Sequence, residues 1–190
     1  MSAAHRSSLR YLVGPLTGFF SFFIGYGLIY LLAGREIEES LAPIETVLQL
    51  FEAEPIATWR VVGWLFYSAH FIETRISAQF GPVETTTYVD LISQGSGNME
   101  LFYLVPPLVL VAAGFSTVLM LAIDDIAEGA TFGASITAGY LIAVALGFVL
   151  FAYGDTRPDP VPALIIAGVI YPAVFGGLGG AVAALVNDRR

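Results

Sequence analysis

The chain has 190 residues, of which 56% are hydrophobic and 13% are charged, and its formal net charge is −8. Average soluble domains carry about a quarter charged residues, so a water-facing surface built from this composition would expose large apolar patches. The composition therefore argues against a soluble enzyme and a disordered tail. Because cysteine is absent, it also argues against a disulfide scaffold.

The kinds of charged residue are also informative. All 8 basic residues are arginine, and 16 acidic residues outnumber them. An acidic, lysine-free protein stays hydrated where salt screens charge strongly, which predicts a halophilic source. A nucleic-acid-binding protein needs a basic stripe that neutralises phosphates. The sequence contains no such stripe, so no nucleic-acid partner is expected.

Four apolar runs are long enough to cross a bilayer, which requires about 20 residues in a helix. The predicted transmembrane helices are 11–34, 101–123, 132–153 and 161–186. The last three are separated by short acidic or Gly/Pro-rich turns and are therefore predicted to be neighbours in space. They form a predicted three-helix array over 101–190, and residues 1–10 form a predicted N-terminal arm.

The arginines near the ends of the apolar runs predict an orientation. Arg6 and Arg10 precede the first run, and Arg189 and Arg190 follow the last. Cytoplasmic flanks of membrane helices are enriched in basic residues. Both termini are therefore predicted to be cytoplasmic, and the expected partner is the lipid bilayer of the cell membrane.

Residues 35–100 form a predicted acidic extracellular segment. Apolar residues recur there at helical spacing, which predicts amphipathic or interfacial helices near 43–54 and 55–75. The second helix is expected either to lie flat at the membrane interface or to enter the mouth of the bundle. The tract 81–98, rich in threonine and glycine, predicts a loop with at most one short strand. An alternative makes 56–72 a fifth span, at a cost of a few kcal/mol for each buried charged group. The predicted fold is an all-α membrane protein.

Small residues line one face of several predicted spans and permit close approach of helix backbones in lipid. The candidate helix-packing residues are Gly14, Gly18, Gly25, Gly139, Gly147, Gly168, Pro172, Gly176 and Gly180. Packing within the bundle is the favoured interpretation, and an interface with a second copy or a partner subunit is the alternative. Pro172 also releases the carbonyl of Gly168, which predicts a kink or, less simply, a polar binding point.

A candidate polar mouth is formed by Arg60, Tyr67, His70 and Glu73. The spacing of His70 and Glu73 suits two metal ligands, but zinc sites take three or four protein groups. An interfacial histidine bonded to Glu73 or Tyr67 is therefore favoured, and neither a metal nor a cofactor is expected. The predicted spans contain no carboxylate, histidine or lysine. No catalytic residue is assigned, and the chain is not expected to be an enzyme.

Three sequence motifs resemble a family of small multi-pass membrane proteins from haloarchaea. They are EPIxTWxVxGWLFYxAHF at 54–71, YLVPPL at 103–108 and Tyr171-Pro172. The resemblance covers most of the chain from Tyr11 onward and implies a halophile membrane protein. The label "transporter" is sometimes attached to such proteins, but the resemblance implies no functional residues.

The expected function is that of a non-catalytic polytopic membrane protein of unknown activity. It would act through helix–helix association, as a homo-oligomer or as a subunit of a membrane complex. The alternative is a small permease or channel subunit, with a polar path between the first, third and fourth predicted spans.

Overall fold

The computed structural model describes residues 3–50, 54–80, 83–95 and 97–189, and these residues are mostly helical. Four helical stretches are long and apolar enough to cross a membrane: Arg10–Ile44, Met99–Leu121, Ile126–Leu150 and Pro160–Asp188. They correspond to the four long apolar helices predicted from the sequence, with shifted ends.

The helices and strands are numbered in chain order. The helices are α1 (Ala3–Leu50), α2 (Thr58–Ser68), α3 (Val105–Leu121), α4 (Ile126–Ala134), α5 (Thr137–Leu150), α6 (Pro160–Pro162) and α7 (Tyr171–Asp188). A 3₁₀-helix, Met99–Leu104, leads into α3, and a π-helix, Ala163–Ile170, joins α6 to α7. The strands are β1 (Thr74–Phe80), β2 (Val83–Val89) and β3 (Arg157–Pro158).

Helix α1 is longer than predicted. It begins within the predicted arm 1–10 and continues without a break through residue 34, so the helix predicted at 43–54 is its extension, with Pro43 inside it. Residues 51–53 lie outside the described residues. Buried residues recur every four positions along one side of α1, at Gly25, Ile29, Ala33, Ile37 and Leu41. This continuous buried side explains why the helix does not end at residue 34.

A small antiparallel sheet corrects the all-α prediction. Its strand order is β2-β1-β3, and Thr74 pairs with Val89 on one side and Pro158 on the other. The helix predicted to run to residue 75 therefore ends earlier, and the predicted loop 81–98 contains β2. Strand β2 is rich in β-branched residues, which favour a pleated, half-exposed surface.

Helices α1 and α5 run in the same direction, whereas α3 and α7 run in the opposite direction. Gly14 of α1 lies against Ser135, just before α5, and Phe22, two turns further along α1, lies against Gly147. The start of α1 and the end of α7 therefore lie at the same end of the bundle. Helix α7 packs against both α3 and α4.

Helix α2 enters the bundle from the end opposite to the chain termini. The Tyr26 hydroxyl of α1 donates a hydrogen bond to the Trp59 carbonyl oxygen in the first turn of α2 (3.0 Å). Its residues 62–68 are buried, and the chain turns back at Phe71, whose φ is 60°. The helix is therefore shorter than the one predicted at 55–75, and it enters the bundle instead of lying flat at the interface or crossing as a fifth span over 56–72.

Candidate functional site: a buried polar cluster around His70

His70 lies just beyond the inner end of α2 and is buried. Its Nδ1 is 2.8 Å from the Phe66 carbonyl oxygen, and its Nε2 is 2.8 Å from the Tyr140 hydroxyl. Because a carbonyl can only accept, Nδ1 carries the proton and donates it. In the neutral ring, Nε2 therefore accepts a hydrogen bond from Tyr140.

Aromatic rings enclose the imidazole of His70. The Phe66 ring centroid lies 4.9 Å away in an edge-on arrangement, and the Tyr171 centroid lies 5.2 Å away. Burial removes the hydration of the charged imidazolium and lowers the pKa of His70 to about 4. The histidine is thus held neutral over the usual range of pH.

Side chains of α2, which leads to His70, reach α5 and the residue that follows it. A Cβ at Gly63 would come within 2.3 Å of the Phe151 ring, so only glycine allows this approach. The Trp64 indole donates to the Phe151 carbonyl oxygen (2.8 Å), and the Tyr67 hydroxyl donates to the Val144 carbonyl oxygen (2.5 Å). Trp64 and Tyr67 therefore tie α2 to backbone carbonyls of α5 and of Phe151, its C-cap residue.

The four residues of the predicted polar mouth do not form one mouth. Tyr67 and His70 are buried inside the bundle, whereas Glu73 is exposed and is not bonded to His70. Arg60 places its guanidinium 4.9 Å from the Trp59 ring and 5.6 Å from the Tyr153 ring. The predicted pairing of His70 with Glu73 or Tyr67 is replaced by its bonds to Phe66 and Tyr140.

The described residues around His70 do not include a set of side chains that could coordinate a metal ion. In the part of the chain that the structure describes, no group of three histidine, cysteine or acidic residues could hold a metal ion. The cluster offers a neutral imidazole and phenol hydroxyls, each already engaged with protein groups. Such groups can fix a helix in position, and the His70–Tyr140 hydrogen bond can reverse if the imidazole gains a proton.

The predicted helix-packing residues lie at contacts within the chain. Cβ atoms placed on Gly18, Gly139 and Gly180 would meet backbone oxygens of other helices or of the α4–α5 link within 2.2 Å. The other predicted residues lie as follows: Gly14 on Ser135, Gly25 on Phe66, Gly147 on Phe22, Gly168 on Leu141, Gly176 on Ile136 and Gly133, and Pro172 buried within α7. These faces are occupied inside the monomer.

Residues 1–187 match a family model whose description is "Family of unknown function (DUF7978)". The chain belongs to this family. No curated protein and no solved structure matches the chain. The expectation of an uncharacterised family is thereby confirmed.

Two grooves on the outside of this DUF7978 bundle are apolar. One, of about 400 Å³, lies between α1 and α3 and is bordered by residues such as Leu16, Phe20 and Ala112. The other, of about 350 Å³, lies between α1 and α5 beside Phe22 and Trp59. Both are lined mainly by apolar side chains, so neither has the polar lining predicted for a path between the first, third and fourth spans.

Sequence reasoning missed the π-helix that precedes Pro172. Its last turn brings the Tyr171 amide to the Ile166 carbonyl, five residues back. Proline lacks an amide hydrogen and disturbs the preceding turn, so Pro172 inside an apolar run was the available signal. Because Tyr171 closes the π-helix and faces His70, the irregular turn borders the polar cluster.

Proposed function

We propose that this DUF7978 protein is a non-catalytic, multi-pass subunit of a halophile's cytoplasmic membrane, with both termini in the cytoplasm. It associates with copies of itself or with another membrane protein. The observation that carries this proposal is that three polar side chains inside the bundle, those of His70, Tyr67 and Trp64, all form hydrogen bonds with protein groups. A rigid, closed bundle of this kind suits a structural subunit.

Association would use surfaces other than the predicted glycine faces, because those faces are occupied within the chain. Large apolar side chains point outward from each spanning helix. Leu31 of α1 is 82% exposed, and Met120 of α3 is 73% exposed. Val149 of α5 and Leu178 of α7 are also exposed. Each of these faces can contact either lipid or a second protein.

Single cysteines test this association, because the natural chain contains no cysteine to interfere. We expect Leu31→Cys, Met120→Cys, Val149→Cys or Leu178→Cys to form an intermolecular disulfide in native membranes under mild oxidation. A second copy gives a dimer band, and a partner gives a heavier band identified by mass spectrometry.

The matched control is Ala143→Cys, at a buried position on α5. It should remain uncrosslinked, because its thiol faces the interior. A strict monomer for all four exposed positions, together with a monomer in mild detergent, would remove the subunit proposal.

A second candidate function is a small permease or channel subunit, favoured by two observations. Helix α2 ends inside the bundle, and the π-helix Ala163–Ile170 borders the same region. Interrupted helices at this depth are tolerated where they are buried in protein or line a cavity, and π-helical turns are frequent at functional sites. The closed cluster would then be one state of a gate.

Flux into liposomes tests this second candidate. A permease should carry at least one ion or small solute, and His70→Gln or Tyr140→Phe should change its rate. Met120→Ala is a suitable control because Met120 faces outward. Gly176→Leu would be unsuitable as a control, since a Cβ there would lie 2.7 Å from the Gly133 backbone oxygen and would disturb the packing of α7 on α4. Absence of flux for every tested solute would eliminate the candidate.

A further inference from the structure

Two arginines are paired directly across the small sheet. Arg75 of the central strand β1 is the register partner of Arg157 in β3. Directly opposed residues in antiparallel strands have Cβ atoms about 5 Å apart on the same face, and like charges in this position destabilise the pair. In a chain with twice as many acidic residues as arginines, this juxtaposition calls for a negative partner.

The described carboxylates do not supply that partner. Among the described side chains, one ion pair has its nitrogen and oxygen within 4.0 Å, and it joins Arg35 to Glu39 of α1. Asp159, two residues after Arg157, instead caps the Val161 amide (3.3 Å). The Nε of Arg75 is buried and has no hydrogen-bond partner. A buried donor without a partner is costly, and the described protein groups do not meet this requirement of Arg75.

Arg60 is a third arginine in this part of the fold. Its Nε is also buried without a hydrogen-bond partner, and its guanidinium lies over the ring of Tyr153. The Tyr153 backbone is bridged to Thr156, next to Arg157, and α2 contacts β3. The three arginines therefore belong to one end of the bundle, where α2 begins and where Pro160 starts the last membrane helix.

We propose that Arg75 and Arg157, at the same end of the bundle as Arg60, bind a phosphate group, and that this group is the headgroup phosphate of a membrane phospholipid. Planar guanidinium groups bind phosphate oxygens through paired, charge-assisted hydrogen bonds, and a bound phosphate relieves the repulsion between the two cations. The site lies at the end of a membrane helix, which is the level of the headgroups. The partly exposed rings of Trp59 and Tyr88 suit that interface.

The test measures thermal unfolding of the full chain, delipidated in dodecyl maltoside, while a phosphate-bearing probe is titrated. The probes are phosphatidylglycerol, phosphatidylcholine and inorganic phosphate. We expect a phospholipid to raise the unfolding midpoint of the natural protein with a saturable dose response. Arg75→Gln and Arg157→Gln should each weaken the apparent affinity about tenfold or more, since a hydrogen bond to a charged group is lost.

Arg35→Gln is the matched control, because Arg35 is an exposed arginine whose partner is Glu39. It should keep the lipid affinity of the natural protein. Each variant is compared with its own ligand-free midpoint, so a lower baseline stability does not hide the result. Arg75→Lys adds a milder change that keeps the charge and removes the planar fork, and it should show an intermediate affinity.

The outcomes separate the sources of phosphate. Arginine-dependent stabilisation by phospholipid, with inorganic phosphate weak, supports the headgroup site. Equal stabilisation by inorganic phosphate overturns the lipid assignment and points to the free ion. No stabilisation by any probe, or stabilisation shared equally by Arg75→Gln, Arg157→Gln and Arg35→Gln, overturns the site itself.

Discussion

Gly18→Ala is expected to lower the free energy of unfolding by about 3 kcal/mol or more, a large part of the total for a typical protein. The added Cβ would lie 1.9 Å from the Ile136 carbonyl oxygen and 2.7 Å from its carbon. These are backbone atoms of the link between α4 and α5, so no side chain can move aside. Helix α1 would have to separate from α5. Thermal unfolding in mild detergent, with the yield of folded protein, measures the effect.

Gly27→Ala is the control in the same helix. A Cβ at Gly27 would meet no atom within 4 Å, apart from the local helix backbone. Alanine favours a helix over glycine by about 1 kcal/mol, so this variant should be as stable as the natural protein or slightly more stable. A Gly18→Ala protein with unchanged stability would contradict the close contact between α1 and the α4–α5 link.

Acidification is expected to destabilise the protein through His70. The folded-state pKa is lowered to about 4, whereas an unfolded histidine titrates near 6.5. Above pH 6.5 His70 is neutral in both the folded and the unfolded protein, so its full contribution to the free energy of unfolding is present. Below that pH the unfolded state binds a proton first, so the free energy of unfolding falls by about 1.4 kcal/mol per unit and by roughly 3 kcal/mol near pH 4. Unfolding midpoints from pH 7.5 to pH 4.5 measure this slope.

His70→Gln isolates the contribution of the histidine. Glutamine can donate to the Phe66 carbonyl and accept from the Tyr140 hydroxyl, but it does not titrate. Surface carboxylates titrate in both proteins, so the difference between the two pH curves belongs to His70. Parallel curves for the natural and variant proteins would show that the imidazole is not buried as described.

The four long apolar helices were predictable because their hydropathy is uniform over stretches of about 20 residues or more. The inward position of α2 was not, because helical periodicity identifies two faces without identifying what each one contacts. Tyr67 and His70 share a face that looked like a water-facing mouth. That face is buried because α5 supplies the Val144 carbonyl and the Tyr140 hydroxyl, and Gly63 allows the helices to approach. These partners are 70 or more residues away in sequence.

The sheet and the length of α1 left local signals that were given too little weight. Thr85–Thr87 looked like part of a loop, although threonine favours strands and a matching segment precedes Gly81-Pro82. In α1, the charged residues from Arg35 onward suggested the end of a helix. The buried positions Ile37 and Leu41 continue the same four-residue spacing, because this part of α1 still packs against protein.

Helix α1 extends well past the end of the helix that it packs against. At about 1.5 Å per residue its 48 residues extend about 72 Å, more than twice the thickness of a hydrocarbon core. Tyr26 stacks on Phe151 at the end of α5, so about 36 Å of α1 extends past that level. A 10° tilt of α1 within the bundle would displace its far end by about 6 Å. Small rotations of α1 would thus be magnified at its far end.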